Sequence, residues 1–205
     1  MPIFIRSVLT LLITAACAGS GWAQNAAVYF ETEAVFNRQG EPFTQLVFAL
    51  NRSLRRAPAY SWQLAADAWV GGEDPYLAVR LEACRRFERG THSVQSCGGL
   101  GVYYEVRAKD ASPVAAVSAE GALWGGRITQ YASFERAFAS PTFTYYHVET
   151  SAAILERNKF RVTAGLLSRT IQRAAGKLAL DFASHGQLFA TAGSGQVTAG
   201  FSLRF

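Results

Sequence analysis

The chain has 205 residues, half of them apolar, with 20 Lys and Arg against 15 Asp and Glu and a formal net charge of +5. This length suffices for one ordinary domain or one small membrane barrel. Beyond the N-terminus no run reaches the roughly 18 uncharged apolar residues of a membrane-spanning helix, and the arginines are set singly without interleaved aromatics, so neither a helical membrane protein nor a nucleic-acid-binding protein is indicated.

The first 23 residues have the features of a secretory signal peptide. Met1 to Arg6 is a short basic start, and Ser7 to Ala18 is an apolar core. The small residue Ala23 then suits a signal peptidase, so we predict cleavage after it and a mature chain over residues 24–205. A lipoprotein signal that ends at Cys17 is the weaker alternative, because the residue three positions before this cysteine is not the usual leucine.

The mature chain alternates apolar and polar residues with a period of two, which is typical of β-strands. In the first such stretch, from Val28 to Phe36, the apolar residues alternate with Glu31 and Glu33. Turn-forming residues separate further stretches of this kind along the whole chain. The pattern predicts an all-β antiparallel fold of twelve strands, or of ten if the short eleventh stretch, Gln187 to Ala192, is not a strand.

Two cysteines remain after the predicted cleavage, Cys84 and Cys97. An even number of cysteines in an exported chain permits a disulfide, here closing a loop from Arg85 to Ser96 between the fourth and fifth strands. Loop-closure entropy gives such a bond about 3 kcal/mol of stabilisation. A metal site is not expected, because it needs more ligands nearby than His92 offers.

The closing stretch, Gln196 to Phe205, places five apolar side chains on one face and ends in a C-terminal aromatic. This pattern resembles the last strand of bacterial outer-membrane β-barrel proteins. The resemblance implies a porin-like antiparallel transmembrane β-barrel of 10–12 strands in the cell outer membrane of a Gram-negative bacterium. It also implies that Phe201, Leu203 and Phe205 form the signal read by the barrel-assembly machinery. A soluble β-sandwich is the alternative, because it also has alternating strands at regular spacing.

If the apolar stripes face lipid, the opposite positions line the lumen. The charged residues predicted to do so are Glu31, Glu33, Asp67, Arg80, Glu82, Glu105, Arg107, Arg127, Glu149, Arg161, Arg169 and Arg204. Over all such positions acids and bases nearly balance, so we expect ion pairs rather than strong selectivity by charge. For Arg204 we expect partners on the first strand, Glu31 and Glu33. The pairs either close a narrow barrel or set up a field across an open pore.

One group of residues suggests an enzyme: His147, Glu149 and Ser151 share a face of the eighth strand, and these are the residue types of acyl-transfer catalysis. However, His147 and Ser151 are separated by about 13 Å along a strand, far beyond the roughly 3 Å that a general base can reach. Asp181 and His185 are the candidate partners from other strands. Outer-membrane lipid hydrolases carry their catalytic residues on the lipid-facing surface, whereas the alternation turns His147 inward.

These patterns predict a narrow passive pore or a structural barrel without cofactor or metal. Saccharide-like or small polar solutes, or their export, are the expected cargo. Expected partners are outer-membrane lipids and lipopolysaccharide, the barrel-assembly machinery and components of an export system, and nucleic acid is not expected. The alternative is an outer-membrane lipid-modifying hydrolase or deacylase that uses the His, Ser and carboxylate group.

Overall fold

The computed structural model describes residues 26–37, 42–72, 75–139, 142–157, 160–182 and 186–204. The predicted signal peptide, His185 and Phe205 lie outside these residues. The strands are β1 (Ala26–Asn37), β2 (Phe43–Leu54), β3 (Ala57–Gly71), β4 (Tyr76–Arg89), β5 (His92–Glu105), β6 (Asp110–Leu123), β7 (Ile128–Ala137), β8 (Thr144–Arg157), β9 (Phe160–Arg169), β10 (Gln172–Phe182), β11 (Gly186–Gly193) and β12 (Gln196–Arg204).

Each strand pairs antiparallel with its sequence neighbours, and β1 pairs with β12, so the sheet closes into a twelve-stranded barrel. The short stretch that the sequence left open is a strand, β11, which pairs with both β10 and β12. The prediction of an all-β antiparallel barrel is therefore confirmed, with the higher of the two strand numbers. Among the described residues, no helix has the length and hydropathy needed to cross a membrane.

The β4–β5 hairpin differs from the expected disulfide-closed loop. Both strands continue through that region and leave only Gly90 and Thr91 as the turn. Charged residues at the end of β4 resemble a loop in the sequence, but they keep the strand register down to Arg89, which pairs with His92. The disulfide itself is confirmed: Cys84 and Cys97 are directly opposite each other in the ladder and are bonded.

The two faces of the wall differ as the alternation requires. On β12, for example, Val197 is 54% exposed and the next residue, Thr198, is fully buried. Large apolar side chains cover the outer surface of the barrel, namely Leu81, Leu100, Val102, Val117, Phe134, Val148, Ile154, Leu166, Leu178 and Leu188. An apolar outside around a polar interior is the arrangement of barrels that span membranes, and it is the reverse of a soluble protein.

The two ends of the barrel are distinguished by the chain termini. We call the end where β1 begins and β12 finishes the terminal end, and the opposite end the loop end. Among the described turns, two-residue turns occur at both ends, after β2 and β4 at the terminal end and after β9 and β11 at the loop end. Four-residue turns also occur at both ends, at 124–127 and at 106–109. Outer-membrane barrels with an even number of strands normally have both termini on the periplasmic side.

Candidate functional site

Six aromatic side chains occupy the interior near the loop end, and we call them the aromatic plug: Phe43, Trp69, Tyr76, Tyr103, Phe143 and Tyr145. Neighbouring ring centroids in the plug lie 4.8–6.2 Å apart, within the usual range for aromatic pairs. The rings come from β2, β3, β4 and β5 on one side, and from Phe143, which directly precedes β8, and the start of β8 on the other. Ring contacts therefore cross the lumen, which narrows it at this end.

A charged group lies next to the plug on the wall formed by β3 to β7, and we call it the Arg80 network. Nη1 of Arg80 donates to Oδ2 of Asp67 at 2.6 Å and to Oε2 of Glu135 at 2.8 Å, while its Nε donates to Oε1 of Glu82 at 3.2 Å. All four residues are buried. One guanidinium is thus shared by three carboxylates, so the network carries more negative than positive charge.

Two glycines of β5 make room for this network. Gly101 is directly opposite Arg80, and Gly99 is opposite Glu82. A Cβ atom on Gly101 would lie 2.9 Å from Cγ of Arg80 and closer still to the backbone oxygen of Val79. Because glycine has no side chain, the space over β5 is left to the Arg80 side chain, which reaches Glu135 on β7.

A second buried arginine lies on the wall from β8 round to β1, in what we call the Arg169 network. The guanidinium of Arg169 makes a bidentate pair with Glu33, with both N···O distances 2.6 Å. Its Nη2 also donates to Oε1 of Gln172 at 3.2 Å, and that oxygen accepts the Thr191 hydroxyl at 2.9 Å. Thr191 and Thr198 are in turn hydrogen-bonded at 2.8 Å. This network is electrically neutral and links β9 to β1.

A third set of polar residues surrounds Glu149, and we call it the Glu149 group: His147, Glu149, Ser151 and Lys177. Nζ of Lys177 donates to both carboxylate oxygens of Glu149 at 2.9 and 3.0 Å, and the Ser151 hydroxyl donates to Oε1 at 3.0 Å. Nε2 of His147 lies 3.5 Å from Oε2 of the same carboxylate, and its ring packs edge-on against Tyr131. The structure therefore brings His147, Glu149 and Ser151 together on one inner face of β8.

This arrangement is not that of a catalytic triad. The Ser151 hydroxyl donates to the Glu149 carboxylate rather than to the His147 imidazole, so the imidazole is not placed to take its proton as in a serine–histidine pair. Asp181 accepts a hydrogen bond from Gln187 at 2.6 Å instead of orienting His147. All three side chains also face the lumen, not the lipid-facing surface where outer-membrane lipid hydrolases carry their catalytic groups.

The remaining predicted lumen residues take different positions. Glu31 accepts a hydrogen bond from Tyr29, and Glu105 is half-buried at the end of β5, next to the plug. Arg161 pairs with Glu156 at 2.7 Å near the terminal end. The guanidinium of Arg204 lies 5.5 Å from the centre of the Tyr29 ring.

Two parts of the lumen prediction differ from the structure. Arg107 and Arg127 lie exposed in the turns that follow β5 and β6, because each strand ends before them. Arg204 is stacked on Tyr29, and its expected partner Glu33 is held by Arg169.

The charge of the lumen is less balanced than the sequence suggested. Among the described residues, the lumen-facing charged side chains that are buried or half-buried are the acids Glu31, Glu33, Asp67, Glu82, Glu105, Glu135, Glu149 and Asp181 and the bases Arg80, Arg161, Arg169 and Lys177. Eight acids therefore face four bases. Several arginines predicted to balance the acids lie instead in turns or at the mouths of the barrel.

The sequence did not indicate that three polar residues of the Arg169 network lie together, namely Gln172, Thr191 and Thr198. Thr198 lies on the polar face of the closing stretch, but nothing local connects it to Gln172, which is 26 residues earlier in the sequence.

Near the disulfide, Glu82 lies close to Cys84 and Cys97. Because both cysteine sulfurs are used in the bond between them, they are not thiolate ligands for a metal.

No family model matches the chain, and no curated protein matches it in sequence. Solved structures do resemble it. A KdgM porin in complex with disordered oligogalacturonate has a TM-score of 0.53 at 7% identity, with 87% of this chain and 98% of that chain covered. The translocator domain of the autotransporter NalP from Neisseria meningitidis has a TM-score of 0.50 at 8% identity, with 98% and 95% covered. At these identities the likeness shows the fold alone, and that fold is the outer-membrane β-barrel, as the closing strand indicated.

Proposed function

We propose that this chain is an outer-membrane β-barrel that acts as a narrow passive pore for small polar solutes and prefers cations to anions. The observation that carries the proposal is the lining of the lumen, where eight buried or half-buried acids face four bases among the described residues. An excess of fixed negative charge in a low-dielectric wall attracts cations and repels anions.

The membrane placement follows from the outer surface. The exposed apolar belt has no protein partner in the described chain, and its burial in lipid is favourable. In this proposal the predicted signal peptide exports the chain, and the closing strand with Phe201 and Leu203 directs assembly. The terminal end faces the periplasm, and the loop end faces the lipopolysaccharide of the outer leaflet.

The aromatic plug sets the size limit. Tyr76 and Tyr103 are 4% and 5% exposed, so their rings pack against each other and leave a constriction rather than a wide channel. Aromatic faces beside polar groups suit the apolar faces of sugar rings, which favours saccharide-like solutes among the candidates. An oligogalacturonate, as bound by the KdgM porin, is a chain of sugar acids. The excess of carboxylates here disfavours such a polyanion, so neutral or cationic solutes are proposed.

The decisive experiment is recording from planar bilayers that contain the refolded mature chain, residues 24–205. A KCl gradient across the bilayer gives a reversal potential, whose sign reports ion preference. We expect small discrete conductance steps with a potential displaced towards that of K⁺. A bilayer that stays silent under all voltages contradicts the pore, whereas steps with anion preference contradict only the selectivity.

The constriction is tested with a matched pair of variants. Phe143→Ala removes a ring that contacts both Tyr76 and Tyr103 inside the plug. We expect larger conductance steps than in the wild type. Phe134→Ala removes the same side chain from the lipid-facing surface, where Phe134 is 44% exposed, and is expected to leave the conductance unchanged. Equal conductance in all three proteins would show that the plug does not limit the passage.

A further inference from the structure

An arginine on the outer surface of the barrel is held between two exposed aromatic rings near the terminal end. The guanidinium of Arg85 lies 5.3 Å from the ring centre of Tyr60 and 4.5 Å from that of Phe87. Tyr60 is directly opposite Arg85 in the ladder. The neighbouring pair is Ser61 and Cys84, and Cys84 is buried inside the barrel. Successive residues of a strand point to opposite faces. Arg85, Tyr60 and Phe87 therefore point outward, towards the surroundings of the barrel.

Three more arginines lie at the terminal end of these neighbouring strands. Arg55 and Arg56 form the turn between β2 and β3, and Arg89 ends β4 on the same side as Arg85. All are exposed, and no carboxylate among the described residues pairs with any of the four. The acid next to Arg89, Glu88, is paired with Arg86 at 2.7 Å. This surface thus carries several positive charges without counter-charges.

We propose that this surface, which we call the Arg85 patch (Arg55, Arg56, Tyr60, Arg85, Phe87 and Arg89), binds the phosphate headgroups of anionic phospholipids in the leaflet around the terminal end. The inference rests on the proposed placement in a membrane, but not on conduction. It also places a lipid contact of defined chemistry at the end opposite to the lipopolysaccharide.

The chemistry fits a phospholipid in two respects. Exposed Tyr and Phe rings lie where acyl chains meet headgroups, so the pair that flanks Arg85 puts its guanidinium at phosphate depth. A guanidinium donates two parallel hydrogen bonds to phosphate oxygens, and its stem packs along apolar surface. A headgroup with net negative charge is preferred over a zwitterionic one, since the arginines of the patch lack carboxylates to neutralise them.

The loop end offers a contrast. Its turn after β5 has the bases Arg107 and Lys109 between the acids Glu105 and Asp110, so the local charges cancel. This makes the pair Arg107 and Lys109 a suitable control, because it removes the same charge from the opposite end of the barrel.

The test measures which lipid the protein retains. The mature chain is refolded into vesicles of phosphatidylglycerol and phosphatidylcholine in equal amounts with identical acyl chains, extracted in mild detergent, and its bound lipids are counted by native mass spectrometry. We expect the ratio of retained phosphatidylglycerol to retained phosphatidylcholine to be at least about five. This is the preference that one arginine near an anionic surface provides. Arg85→Gln with Arg89→Gln should lower the ratio although Arg55 and Arg56 remain, whereas Arg107→Gln with Lys109→Gln should leave it unchanged.

Further outcomes keep the proposal falsifiable. Arg85→Lys with Arg89→Lys keeps the charge and is expected to keep most of the preference, and heat-modifiable gel migration shows that every variant is folded. Equal retention of both lipids by the wild type, or an equal loss in the loop-end control, would overturn the patch. A barrel that conducts ions without lipid preference contradicts the patch alone, and one that retains phosphatidylglycerol without conducting contradicts the pore alone.

Discussion

Arg80 and Arg169 are both buried in the lumen, yet their surroundings differ. Arg169 has one carboxylate partner, Glu33, and its remaining contact is with the neutral side chain of Gln172. Arg80 has three carboxylate partners and no neutral one among its described side-chain hydrogen bonds. The first arrangement balances charge within a hydrogen-bonded network, and the second leaves an excess of acid on one wall.

The positions of the two networks explain the difference. The Glu33–Arg169 pair spans from β9 to β1 and so braces the seam where β1 meets β12. A neutral pair serves this purpose because it adds no repulsion across the seam. The Arg80 network lies on the opposite wall, on β3, β4 and β7, and does not include the seam. There the excess of negative charge does not strain the closure, and it is available to attract cations.

The largest effect is expected for Arg80→Met. Removing one partner of a buried ion pair costs about 3–5 kcal/mol because the other charge is left uncompensated. Here three carboxylates lose the cation that they share, so we expect a loss at or above the upper end of this range. Urea unfolding of the barrel in lipid vesicles, followed by tryptophan fluorescence, measures the change in the free energy of unfolding.

A compensating variant sharpens this result. Adding Asp67→Asn and Glu135→Gln to Arg80→Met removes two of the three stranded charges and should restore much of the lost stability. If Arg80→Met unfolds at the same urea concentration as the wild type, the carboxylates do not depend on Arg80 and the network has been assigned the wrong role.

A smaller effect is expected for Arg169→Met, about 3 kcal/mol, because only one carboxylate is stranded. Glu33→Gln in the same chain removes that charge, so the double variant should be more stable than Arg169→Met alone. The double-mutant cycle measures the coupling between the two residues in the same urea assay. Additive effects of the two substitutions would show that the pair does not brace the seam.

The architecture was accessible from the sequence because it depends on a local pattern. Alternation with a period of two needs only neighbouring residues, and on β12 it separates the exposed Val197 from the buried Thr198. The same reasoning placed the C-terminal stripe in a closing strand, and β12 does pair with β1.

Strand ends were harder to predict than strand centres. From the sequence, the run from Arg85 to Arg89 is predicted to lie in the loop that the disulfide closes. In the structure this run lies at the terminal end. There the outward side chain of Arg85 packs against the Tyr60 and Phe87 rings, so an arginine is tolerated within the strand. Arg107 and Arg127 show the opposite error, since both were assigned to the wall and lie in turns.

The partners inside the lumen were not accessible. Arg80 and Glu135 are 55 residues apart in sequence, and Glu33 and Arg169 are 136 apart. Which residues meet across a lumen depends on the number, tilt and stagger of the strands, and one sequence does not specify these quantities. The expected partners of Arg204, Glu31 and Glu33, have other contacts: Glu31 accepts a hydrogen bond from Tyr29, and Glu33 pairs with Arg169.

The smallest loss of stability is expected in the Glu149 group. As in the Arg169 network, one carboxylate is paired with one cation, and a hydroxyl also donates to it. Ser151→Ala removes one hydrogen bond to Glu149 while Lys177 keeps both of its own, so the expected loss is about 1 kcal/mol. Thr150→Ala, on the exposed face of the same strand, is the control and should change stability by less than about 0.5 kcal/mol. The same two variants also decide the hydrolase alternative. Release of fatty acid from lipid vesicles that Ser151→Ala abolishes and Thr150→Ala does not would make Ser151 a nucleophile, whereas the hydrogen bond to Glu149 predicts a purely structural loss.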